Sequence, residues 1–139
     1  MVKYLAGLKG EGKTRMIIDL ANESAKTTDG NLVFIDDDKR HIFELHRDIR
    51  FVETGKGVLD KYREFIGFVL GILSQNSDIR HIFVDGLTNI VTEVDNEVLI
   101  KLHPRLEAIS NDHHVDFTIC MNYDKALLPE VVKTNLLNP

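Results

Sequence analysis

The chain has 139 residues, 43% hydrophobic and 28% charged, with a formal net charge of −5. That composition excludes wholesale disorder and predicts one globular domain over residues 1–139, large enough to bury a core unaided. The only cysteine, Cys120, excludes an intramolecular disulfide and a cysteine-built zinc site, and it fits a reducing, cytoplasmic setting. Residues 1–70 carry 12 Lys+Arg against 12 Asp+Glu, and residues 71–139 carry 5 against 10. An acidic second half argues against a broad nucleic-acid footprint, which needs clustered Lys and Arg. The longest apolar stretches, such as Phe65 to Leu73, are about half the ~20 residues of a membrane span. Met1 to Leu8 is broken by Lys3 and followed by Lys9, so no secretory leader is expected there.

In chain order, Val2–Ala6 reads as a strand ending at Gly7. A glycine-rich turn follows, and then a helix over Thr14–Lys26, with Met16, Ile17, Leu20, Ala21 and Ala25 near 3.6 spacing. Leu32–Ile35 is a continuous apolar run, as in a strand buried on both faces, and it ends in Asp36, Asp37 and Asp38. A short helix is predicted over Arg40–His46 and a short strand over Arg50–Glu53. The strongest helix signal spans Asp60–Gln75, where Tyr62, Phe65, Ile66, Val69, Leu70, Ile72 and Leu73 form a wide apolar face. His81–Val84 is another buried strand, ending at Asp85-Gly86. Asn96–Ile109 reads as helix, with Pro104 expected to kink or interrupt it. Val115–Met121 is a further strand, ending at Asn122. A terminal helix is predicted over Ala126–Leu137, with Pro129 as a fresh start. Strands alternating with helices predict a three-layer α/β/α fold with a mostly parallel sheet.

Gly7-Leu8-Lys9-Gly10-Glu11-Gly12-Lys13-Thr14 satisfies G-x-x-x-x-G-K-[ST], the Walker A or P-loop pattern, between a strand and a helix. Glycines let the backbone curl until its N–H groups face a phosphate, and Gly7, Gly10, Gly12, Glu11 and Arg15 fall in the same turn. Lys13 is placed to reach the β- and γ-phosphates, and the Thr14 hydroxyl to ligate Mg²⁺. Lys9 either adds charge near the phosphates or is solvated. Ile82-Phe83-Val84-Asp85 fits a Walker B strand, with Asp85 as the carboxylate near Mg²⁺. Gly86 follows it, so no adjacent glutamate supplies a base. Asp38 or Asp36 is the alternative for orienting water, and Asn122 is a candidate γ-phosphate sensor. Six histidines form no convincing metal pattern, and Cys120 reads as a buried small hydrophobe. Asn-Lys-x-Asp, the GTP-specificity motif, is absent; Asn122-Tyr123-Asp124-Lys125 has its residue types in another order, which leans towards ATP.

These motifs together resemble RecA/KaiC-like P-loop NTPases over roughly residues 3–123. In that resemblance Asp38 takes the position of the catalytic glutamate, Val84-Asp85-Gly86-Leu87-Thr88 the Walker B segment, and Asn122 the γ-phosphate-sensing position. The pattern is also similar to small stand-alone bacterial ATP-binding proteins sometimes labelled twitching-motility, PilT-like, ATPases. The resemblance implies Mg²⁺-dependent ATP binding with slow hydrolysis or nucleotide-controlled regulation. A protein partner or a neighbouring subunit would supply an arginine finger. A second similarity, to shikimate-kinase-like phosphotransferases, rests on the glycine loop with Asp36-x-Asp38. It implies a small-molecule kinase, with Arg47, Arg50 or Arg63 binding the acceptor. A non-catalytic nucleotide-binding interaction module is the third expectation.

Overall fold

The structure is a computed structural model that describes residues 1–139. Five apolar segments form the strands β1 (Val2–Gly7), β2 (Asn31–Asp36), β3 (Ile49–Glu53), β4 (Ile79–Asp85) and β5 (Asp116–Asn122). They make one sheet in the order β1-β5-β4-β2-β3, and every pairing is parallel. Parallel strands need long crossovers, which the helices supply. These are α1 (Lys13–Thr27), α2 (Tyr62–Gln75), α3 (Leu87–Ile90), α4 (Asn96–His113) and α5 (Glu130–Lys133).

Side chains of a strand alternate between the two faces of the sheet, so sequence parity assigns each residue to a face. One face collects Val2, Tyr4, Val33, Ile35, Ile82, Val84, Phe117 and Ile119 under α2, α3, α4 and α5, in a cluster of 25 buried residues. Leu5, Leu32, Phe34, Phe83 and Cys120 occupy the opposite face. They pack against Ile17, Ile18 and Ala21 of α1 in a cluster of 9. Phe34 stacks between Phe51 and Phe83, with centroids 6.4 Å away on each side. His81 lies flat on Phe83 at 4.0 Å, and its Nε2 meets the Thr118 hydroxyl at 2.8 Å.

The same alternation aims the strand ends. Asp36, Asp85 and Asn122 each stand two residues beyond Phe34, Phe83 and Cys120, so all three emerge on the α1 face. Asp36 is the register partner of Asp85, and Gly7 that of Asn122. Since β5 lies between β1 and β4, Asn122 stands between the glycine loop and Asp85.

Three predicted elements differ. The helix expected to be kinked or interrupted at Pro104 is not interrupted there: it runs from Asn96 to His113. Pro104 is exposed there, and so is Ile100, the residue whose carbonyl loses its helical donor. Leu99 and Leu102 before the proline, with Leu106 and Ile109 after it, bury one continuous stripe that holds the helix together. The helix predicted over Arg40–His46 shrinks to a 3₁₀ turn, Ile42–Glu44. Side chains there take the backbone groups that a helix would use: Asp38 accepts from Arg40 N, and Asn22 accepts from His46 N.

The terminal helix predicted over Ala126–Leu137 is reduced to a 3₁₀ turn at Lys125–Leu127 and the single turn of α5. Asn135 bonds back to the Val131 carbonyl and ends α5. The chain then pairs with the free edge of β1. Tyr4 donates to Asn135 O, Leu137 donates to Tyr4 O, and the Asn138 amide exchanges two hydrogen bonds with the Ala6 backbone. Edge pairing satisfies backbone groups of β1 that another helical turn in the tail would leave open.

Candidate functional site

The glycine loop joins β1 to α1 across the carboxyl edge of the sheet, where ligands bind in open parallel sheets. Gly12 caps α1 with φ 81°, a left-handed conformation that favours glycine. No side chain caps the helix, and no acidic residue lies in its first turn. The first N–H groups of α1 therefore lack a partner from any cap and present positive partial charge outward. Glu11 folds back, its Oε1 accepting from Leu8 N at 3.1 Å. Gly7 has φ 154°, a backbone conformation that residues with a side chain rarely adopt, so the loop needs glycine where β1 ends.

Lys13 is only 6% exposed, yet its ammonium forms no ion pair in the chain. It donates one hydrogen bond, to Leu8 O at 2.8 Å. A buried cation with one neutral partner is expensive to maintain without a compensating anion. Lys13 lines a cavity of about 400 Å³, together with Lys9, Gly10, Gly12 and Thr14 on the loop side. Asp36, Asp37, Asp85 and Asn122 line it from the strand ends, Asn89 from α3, and Arg40 and His41 from the β2–β3 connection.

Three carboxylates in this cavity are nearly buried: Asp36 at 4%, Asp37 at 8% and Asp85 at 6% exposure. Burial pushes Asp36 up from the ordinary 3.8 to about 8, helped by a hydrogen bond with the Asp37 side chain and by repulsion from Asp85. Asp36 also accepts from Asp37 N at 2.7 Å. Burial raises Asp85 too, against hydrogen bonds from the Cys120 and Thr14 side chains that hold it down. Beside Asp85, the Cys120 thiol is pushed up to about 12 by burial, so it is a packed, inert neighbour. Thr14 and Asp85 line the same cavity, close enough for the Thr14 hydroxyl to favour the ionised Asp85, as groups that share one cation would be. The donor set is hydroxyl and carboxylate oxygen, which suits a hard divalent ion such as Mg²⁺. A raised carboxyl, as at Asp36 and Asp85, is what an anionic cluster adopts without such an ion.

The structure gathers Lys9, Gly10, Gly12, Lys13, Thr14, Asp36, Asp85 and Asn122 of the predicted site residues around one cavity. Gly7 lies at the end of β1, in register with Asn122, and shapes the loop from behind. Glu11 is turned into the loop, and Arg15 faces away towards Asp19 and Glu44. Asp38 does not line the cavity. Its carboxylate is bound to the backbone N–H and the guanidinium of Arg40, which hold it below the usual carboxylate range. Asp37 takes the place beside Asp36 that the sequence offered to Asp38. Arg40 and His41 escaped the sequence reading. Their only signal was position, directly after the acidic triplet at a strand exit. Thr88, which the sequence offered only as part of the Walker B segment, has a hydroxyl that accepts from Asn122 N at 3.1 Å and fixes the start of that loop.

Fold and site together define an α/β protein with a cavity, lined by lysine, arginine and aspartate side chains, at the carboxyl edge of an all-parallel sheet. No protein-family model matches the chain, and no curated protein matches it. No helix is long and apolar enough to cross a membrane.

Proposed function

We propose that the chain is a P-loop nucleoside triphosphate-binding protein of the three-layer α/β/α kind, taking ATP with Mg²⁺ in the cytoplasm and hydrolysing it slowly. One observation carries this reading: the buried, unpaired ammonium of Lys13 beside the uncapped start of α1, at the floor of the cavity. Lysine and helix start both call for an anion, and a glycine-wrapped loop admits one as large as a polyphosphate. Lys13 would exchange Leu8 O for phosphate oxygens. Thr14 and Asp85 would hold Mg²⁺, which when bound spreads the charge of the β- and γ-phosphates.

In hydrolysis, the oxygen of a water bonds to the terminal phosphorus as the bond from that phosphorus to its bridging oxygen breaks. The electron pair leaves with the diphosphate, and the water proton passes to a neighbouring carboxylate or to the released phosphate. Asp37, buried and lining the cavity, is the carboxylate best sited to orient that water, while Asn122 faces the same space from β5. A binding module without turnover is the second reading. It is favoured by the engagement of Asp38 with Arg40 and by the proton that Asp36 keeps up to about pH 8.

The test is calorimetric titration of the full chain with Mg·ATP, Mg·ADP and Mg·GTP, beside phosphate release. Binding in the wild type that weakens about 30-fold or more in Lys13→Ala supports the reading. An absence of binding by all three nucleotides rejects it. Tight binding without phosphate release selects the binding module.

A further inference from the structure

The connection from β2 to β3 crosses the cavity opposite the glycine loop, and Arg40 sits on it. Asp38 grips Arg40 twice. Its Oδ1 accepts from the backbone N at 2.9 Å, and its Oδ2 from Nε at 2.9 Å. The two terminal nitrogens of the guanidinium make no hydrogen bond or ion pair within the chain. A guanidinium anchored by Nε presents those nitrogens as a planar fork, the shape that binds two oxygens of one phosphate.

The connection is fastened to the helix that carries the anion site. His41 bonds Glu44, and Glu44 bonds Arg15 of α1. Asn22 of α1 donates to the Glu44 carbonyl and accepts from His46 N. Arg40 therefore sits on a connection tied to α1 and lines the same cavity as Lys13 and Thr14, although its side chain is 72% exposed.

We propose that Arg40 is this chain's own ligand for the terminal phosphate and that Asp38 is its positioning residue. This rests on the nucleotide reading of the cavity. It supplies within one chain the cation that the sequence left to a partner, and it gives Asp38 a task other than handling water. Lys13 grips the phosphates from the loop side and Arg40 from the opposite side. A diphosphate ends short of Arg40, so the fork discriminates triphosphate from diphosphate.

The experiment is calorimetry of the full chain with Mg·ATP and Mg·ADP, on wild type, Arg40→Ala, Arg40→Lys, Asp38→Asn and the Arg40→Ala/Asp38→Asn double variant. Thermal melts confirm that each variant is folded. Arg40→Ala is expected to weaken ATP about 10-fold or more and to leave ADP within about twofold. Arg40→Lys recovers little, because an ammonium has no fork. Asp38→Asn weakens ATP about threefold alone and adds nothing in the Arg40→Ala background, a coupling that a merely structural role would not produce. Equal loss for both nucleotides, or no loss for either, overturns the assignment while leaving the nucleotide site intact. No nucleotide binding by the wild type removes the site and the assignment together. An Asp38→Asn effect that persists without Arg40 overturns the positioning role alone.

Discussion

The two faces of the sheet solve different problems. Beneath α2–α5 lies an apolar cluster of 25 buried residues, in which Tyr4 is fully buried and satisfied by His103 at 2.8 Å. Beneath α1 lies a cluster of 9; the same strands run on from it into buried carboxylates, and α1 itself begins with a buried lysine. Strand alternation alone separates them: odd and even residues of one strand serve different ends. Burial on the first face stabilises the fold. Burial on the second gathers ionisable groups around a cavity, so stability and site chemistry can be perturbed independently.

The largest expected effect belongs to the thick face. Leu106 is fully buried in α4. Leu106→Ala should lower unfolding stability by about 2–5 kcal/mol, read by chemical denaturation, with little change in nucleotide affinity per folded molecule. A large affinity loss in that variant would break the separation of the two faces.

The next effect is a pH-dependent one on the thin face. Folded Asp36 keeps its proton to about pH 8, whereas an ordinary aspartate ionises near 3.8. Between those values the folded state holds the extra proton, so this group makes stability fall as pH rises, and the loss levels off above about 8. Asp36→Asn should remove that slope. Its melting temperature should exceed that of the wild type by an amount that grows from pH 4 to pH 8, on the order of 5 °C at the top. Millimolar Mg²⁺ should shrink the difference by stabilising the ionised wild-type cluster. A pH-independent difference would sink the account.

Lys13→Met should change stability by about 1 kcal/mol or less, on the side of gain, because a buried cation gives way to an apolar chain of similar length. The same variant should lose nucleotide affinity, so the two readouts move in opposite directions.

His81 gives the smallest effect and the opposite sign. Burial lowers it from 6.5 to about 4, so between those values the unfolded chain binds the extra proton and this group makes stability rise with pH. His81→Phe should keep the stack on Phe83 and remove the rise below pH 6.5, with the nucleotide site unaffected. Melting curves at pH 5 and 7 for both proteins would show it.

Much of this was legible in the sequence. Continuous apolar runs marked the strands, because a parallel sheet buries both of their faces. The glycine loop was legible because its chemistry sits in eight consecutive residues. Asp36 and Asp85 were legible as strand ends. Beyond a strand end alternation stops, so nothing local chose between Asp37 and Asp38. Arg40 and His41 depend on bonds to Arg15 and Asn22 that lie far away in sequence. The last dozen residues have helical composition, and what defeats the helix is the free edge of β1, which no local pattern reveals.

That edge has a mechanical consequence. The tail runs parallel to β1, with Leu136 bridged to Tyr4 and Asn138 bonded beside Ala6. Force applied between the first and last residues therefore acts along these hydrogen bonds in shear, loading them together instead of peeling them singly. Because β1 ends in the glycine loop, tension on the chain ends would be carried straight to the base of the cavity.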